Sequence, residues 1–235
     1  MSPPQALEPW PDEPLIAHRE DQAINPATAA RILELVAVLS TRGSDTTPDF
    51  GPDPGGSLAA LQNATTVALA VGPDVGGLVV VEAAAAVLAA PWLADRDART
   101  ACLLDALQVA GELLPPGRPE PGRDTGTWGG VAAAIGIGRR DRPDQMRQIA
   151  CIAASLALAA VPATEGDKAY LAIRSGHAAA SAVLAVTLAD AGFVGDLQAI
   201  DELRKRLGTT AAPPVAGRSA ELATRGVKLL EEAVH

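Results

Sequence analysis

An all-α fold is what this chain predicts, and three features of its sequence point there. Alanine dominates an apolar inventory that reaches 48% of the 235 residues, while aromatic residues make up only 3%. Alanine has the best intrinsic helix propensity and lets neighbouring backbones approach closely. Few windows hold the β-branched and aromatic residues that favour strands. Apolar residues recur at helical spacing between clusters of proline and glycine. A chain of this length suits one large domain able to bury a substantial core.

The elements follow in order. Residues 1–24 are rich in proline and acid and read as an extended or disordered arm, leaving 25–235 as a single all-α domain. Asn25-Pro26 looks like an N-cap with proline at the first helical position. Ile32, Leu35, Val36 and Leu39 then mark one face of a helix ending near Arg42-Gly43. After a loop over 44–56, helices are expected at 57–71, 77–90 and 95–114, the last stopped by Pro115-Pro116-Gly117. Thr127–Gly138 is short, glycine-rich and helical. Asp141-Arg142-Pro143 opens a helix with Ile149, Ile152, Ala153 and Leu156 on one face. After a turn at 163–167, a long alanine-lined helix is expected from Gly176 to Ala191, opened by Gly176-His177 and closed by Gly192-Phe193. Helices near 196–207 and 217–233 complete the chain.

Composition excludes several classes. A net charge of −9 leaves no basic patch to neutralise phosphates, so nucleic acid is not an expected partner. The clusters Arg139-Arg140-Asp141-Arg142 and Arg204-Lys205-Arg206 read as solvated helix ends. Cys102 and Cys151 are far apart, lie in apolar helical runs and match no metal-ligand spacing, so reduced core thiols in a cytoplasmic protein are expected. The N-terminus has no charged segment followed by an apolar one, as a secretory signal would. The apolar stretch Val67–Ala90 is broken by Gly72-Pro73-Asp74 and Gly76-Gly77 and contains Glu82, so it reads as two core helices and not a membrane span. The glycines of 126–138 are not followed by Gly-Lys-Ser/Thr and follow no strand pattern, which excludes a phosphate loop.

Three blocks carry a family resemblance. The first is Leu58-Ala-Ala-Leu-Gln-Asn63-Ala-Thr65. The second runs from Gly126-Thr-Trp-Gly-Gly-Val-Ala-Ala-Ala134 through Asp144-Gln145 to Ala153-Ala-Ser155. The third is Arg174-Ser-Gly-His177 to Gly192-Phe193-Val-Gly195. In order and spacing they resemble the MmgE/PrpD family of 2-methylcitrate dehydratases and cis-aconitate decarboxylases, over about residues 58–196. The resemblance implies a helical bundle like that family's helical domain, without its α/β lid, and a homodimer formed through the helical domain. It also implies cofactor-free elimination, decarboxylation or isomerisation of small carboxylic acids, with no metal and no organic cofactor. By the same alignment the family's histidine positions fall on Ala68, near Glu120 and on Arg174, and its lysine on Leu171.

Such chemistry needs a base beside a carboxylate, a cationic site and an acid for the leaving group. His177, with a pKa near neutrality in its free form, is the candidate base or acid. Arg174, one helical turn away, is the candidate anion clamp. Asp74 is a candidate second catalytic group, or simply a helix cap. Tyr170 is a candidate general acid, Lys168 a substrate contact, and Trp128 a pocket wall or a core filler. The structural alternatives for His177 and Arg174 are a packed imidazole and an ion pair. Two functions are therefore expected. One is a lyase, isomerase or cyclase acting on an acidic or polyketide-like small molecule of a biosynthetic pathway. The other is a non-catalytic relative that serves as a binding or partner subunit.

Overall fold

The computed structural model describes residues 24–42, 56–114, 126–138, 143–157, 167–207 and 217–235. Among them the chain forms helices α1 (Pro26–Arg42), α2 (Ser57–Val71), α3 (Val75–Ala89), α4 (Arg96–Leu113) and α5 (Trp128–Ile137). α6 (Pro143–Leu156), α7 (Lys168–Asp190), α8 (Ala199–Leu207) and α9 (Arg218–Val234) follow. No strand occurs among the described residues, and the helices pack as one bundle. The arm expected at 1–24 lies outside them except for Ile24, whose side chain is buried against the core.

Apolar pattern sorts the helices by depth. α3 is buried continuously from Leu78 to Val87, and every residue of α5 is buried. Neither has a polar face to turn outward, so both must sit at the centre. α1 and α9 are amphipathic and pack on each other at the surface, with Ile32, Leu35, Val36 and Leu39 inward as their spacing requires. α7 lies against α2, α3, α5 and α6. It is long and apolar enough to cross a membrane, yet 67% of its most apolar window is packed inside the bundle, as in a core helix.

Three helix starts differ from expectation. α7 begins at Lys168, two turns before Gly176, because Asp167 caps it by accepting a hydrogen bond from the Tyr170 amide at 3.0 Å. Gly176 is an interior residue and not a helix start. A Cβ there would overlap the Thr65 hydroxyl and lie 2.7 Å from the Leu61 carbonyl, so glycine is what lets α7 cross α2 closely. α3 starts at Val75, placing Gly76 and Gly77 in its first turn, because the Asp74 side chain accepts from the Gly77 amide. α8 starts at Ala199, since Asp196 closes a turn by accepting from the Gln198 amide at 2.9 Å.

Candidate functional site

Spacing along α7 aligns Tyr170, Arg174, His177 and Ser181 at i, i+4, i+7 and i+11, one edge of a helix. Continuity of α7 across Gly176 creates this alignment, because a helix starting at Gly176 would have left Tyr170 and Arg174 in a turn. Arg174 is 4% exposed, and its neighbours Tyr170 and His177 are half-buried. Its guanidinium lies 5.8 Å from the Tyr170 ring centroid, within cation–π range. Nη1 reaches the Tyr170 hydroxyl and Nη2 the Thr127 hydroxyl, both at 3.4 Å. The Thr127 contact ties α7 to the segment that leads into α5.

His177 sits mid-helix, one turn beyond Arg174. Its Nδ1 lies 3.4 Å from the Ser181 hydroxyl. Burial, and then the nearby Arg174 charge, hold the imidazole below its ordinary pKa. At neutral pH the ring is therefore uncharged and able to accept a proton.

Behind this edge lies a group that reading the sequence for function passed over. Glu82, in the middle of α3, is wholly buried. Its Oε1 accepts hydrogen bonds from the Gly126 amide at 2.9 Å and the Ser175 hydroxyl at 2.8 Å. Its Oε2 has no hydrogen-bond partner among the described residues. Burial pushes the carboxyl up to about 8, against the opposing pulls of Ser175, Gly126 and Arg174. Gly129 on α5 makes the room, since a Cβ there would overlap Oε2. The available signal was an acid inside Val79-Val-Val-Glu82-Ala-Ala-Ala-Ala86, where nothing local can solvate it.

Asp74, by contrast, is engaged away from α7. Asp74 caps α3 and pairs with Arg225 of α9; neither partner belongs to α7. It lies about 12 Å along α3 from Glu82, at 1.5 Å per residue. Lys168 is exposed in the first turn of α7. Trp128 is 1% exposed, and its indole N–H has no hydrogen-bond partner among the described residues, so the ring fills core beside Thr127. Glu120 falls outside the described residues. No group of three or more His, Cys, Asp or Glu side chains among the described residues is placed to hold a metal.

No family model, curated protein or solved structure matches this chain.

The arrangement brings together a neutral imidazole, a guanidinium and a phenol on one helix edge. Chemically, that set can take a proton, hold an anion and donate a hydrogen bond.

Proposed function

We propose that the chain is a cofactor-independent small-molecule enzyme of the lyase, isomerase or cyclase type, acting on an anionic substrate such as a carboxylic acid. The observation that carries this reading is the uncharged His177 one turn from Arg174 on α7, with Tyr170 one turn before. Arg174 would hold a carboxylate or enolate through its fork, which cannot itself exchange a proton. His177 would remove the proton next to that anion, and Tyr170 would hydrogen-bond the oxygen on which charge develops. Resemblance to the MmgE/PrpD family supports the reaction class. Asp74, engaged by Arg225 and the Gly77 amide, has no step in this scheme, and Lys168 and Trp128 have none. The buried thiols Cys102 and Cys151, neither in a disulfide, suit a reducing, cytoplasmic setting.

Deuterium incorporation tests it most directly. The protein is incubated in D2O with a panel of hydroxylated and unsaturated di- and tricarboxylates, and exchange next to the carboxylate is followed by proton NMR. Exchange or turnover should appear with at least one substrate and be abolished by His177→Ala. Arg174→Lys should raise KM by about tenfold or more through loss of bidentate binding. Because His177 titrates below its ordinary range, activity should persist into mildly acidic solution before falling as the ring protonates. Exchange that survives His177→Ala would remove the base from the scheme.

One observation favours a second reading, a non-catalytic subunit that works by association. Ile173 and Leu184 on α7 are 62% and 37% exposed, and with His177 and Ala180 they form an i, i+4, i+7, i+11 stripe. We propose a homodimer through this stripe under either reading. An inactive chain that binds another protein through it would favour the second.

A further inference from the structure

Glu82 takes no step in the proposed chemistry, yet it is the group on which three helices converge. It belongs to α3, its Oε1 holds the Gly126 amide at the approach to α5, and the same oxygen holds Ser175 of α7. Both donors fall on one oxygen. The proton of a neutral acid therefore belongs on Oε2, which has no partner among the described residues and faces the space left by Gly129. We propose that Glu82 is a proton-dependent latch: as the neutral acid it sits in a closed seam between α3, the 126–127 turn and α7, and on losing its proton it must be hydrated, which opens that seam and frees the turn.

The reason is desolvation. An ionised carboxylate here, wholly buried, would have two hydrogen-bond donors on one oxygen and none on the other among the described residues. Burying a charge so incompletely satisfied is costly, whereas the neutral acid leaves one weak donor unmet. The surroundings offer limited compensation. α2 and α5 carry no ionisable side chain. α7 presents Arg174, the charge whose field reaches Glu82, with Tyr170 and His177 on its edge. From α9, Arg225 is drawn to Asp74 at the far end of α3. On α1, Arg31 and Glu34 are paired at the surface with Glu231 and Arg96. On α4, Arg99 donates to the Leu93 carbonyl, and Asp105 is buried. Arg174's pull on Glu82 is the smallest of the opposing ones, so burial prevails.

The sign of the pH effect follows from where the proton sits. Between the ordinary value of 4.5 and about 8, the folded chain keeps this proton and the unfolded chain does not. Unfolding then releases a proton, so rising pH favours it. The contribution of Glu82 to stability is fully present below 4.5 and is lost as pH rises through about 8. Freed from Glu82, the turn would also loosen Thr127 and its contact with Arg174.

The test compares the whole protein with Glu82→Gln by denaturant unfolding across this pH range, with amide hydrogen exchange at Gly126 as a local readout. Relative to Glu82→Gln, the wild-type folding equilibrium constant should fall about tenfold per pH unit between the two values. Gly126 protection, corrected for the intrinsic rate, should drop above pH 8 in the wild type only. Ser175→Ala, which removes a donor that favours the ionised form, should move the break to higher pH. Should Glu82→Gln fail to fold, the infrared carbonyl band of a protonated carboxyl, titrating with the Gly126 exchange in the wild type, reads the same event. Parallel pH curves for wild type and Glu82→Gln would overturn the latch. Absence of the protonated band near neutral pH, or Gly126 protection that ignores the titration, would do so equally.

Discussion

At the scale of single residues, the buried carboxyl of Glu82 and the missing side chain of Gly129 are one feature. Gly129→Ala would drive a methyl into Oε2 and should destabilise the protein by about 1–3 kcal/mol or more, the usual cost of overpacking. Combining it with Glu82→Ala should cost less than the sum of the two single changes, a coupling that denaturant melts of all three variants would measure. Additive effects would mean that the two positions do not share space. His177 and Arg174 could be paired from the sequence because they stand three residues apart; Tyr170, expected before a helix start at Gly176, joins them only because α7 begins at Lys168. Glu82 could not, since its donors lie 44 and 93 residues away.

At the scale of helices, caps decide where elements begin and which acids remain for chemistry. Asp74 illustrates this, because sequence alone left it as either a cap or a catalytic acid. Asp74→Ala should cost about 1 kcal/mol through loss of the bond to the Gly77 amide. Asp74→Asn, which retains an accepting oxygen, should cost about 0.5 kcal/mol or less, since the pairing with the half-exposed Arg225 is screened by solvent. Thermal or urea melts distinguish the two, and equal large losses would point to a role beyond capping. The same physics hid the true start of α7. Gly176 reads as a breaker because glycine weakens helices in isolation. Its conformational cost is outweighed here by close packing on Thr65 and Leu61, a contact no local window contains.

At the scale of the whole molecule, the bundle places its most apolar helices, α3 and α5, inside and leaves one edge of α7 half open. If Ile173 and Leu184 form a dimer contact, Ile173→Glu should convert the dimer to a monomer without unfolding it, since that side chain is exposed within the protomer. Sedimentation equilibrium with circular dichroism separates these outcomes. A monomeric parent protein, or a variant that still dimerises, would move the interface elsewhere.

Sequence by itself determined the all-α class of the described residues, where most of their helices lie, and which faces of α1 and α6 turn inward. Those properties follow from local propensity and periodicity, which act over a few residues. Only the tertiary structure decided that Asp74 belongs to Arg225, that α7 runs unbroken through Gly176, and that Glu82 is pinned by Gly126 and Ser175. Each depends on groups far apart in the chain, brought together by burial. Inside the bundle, water no longer screens a charge or fills a gap, so a carboxyl keeps its proton and a glycine becomes the residue that fits.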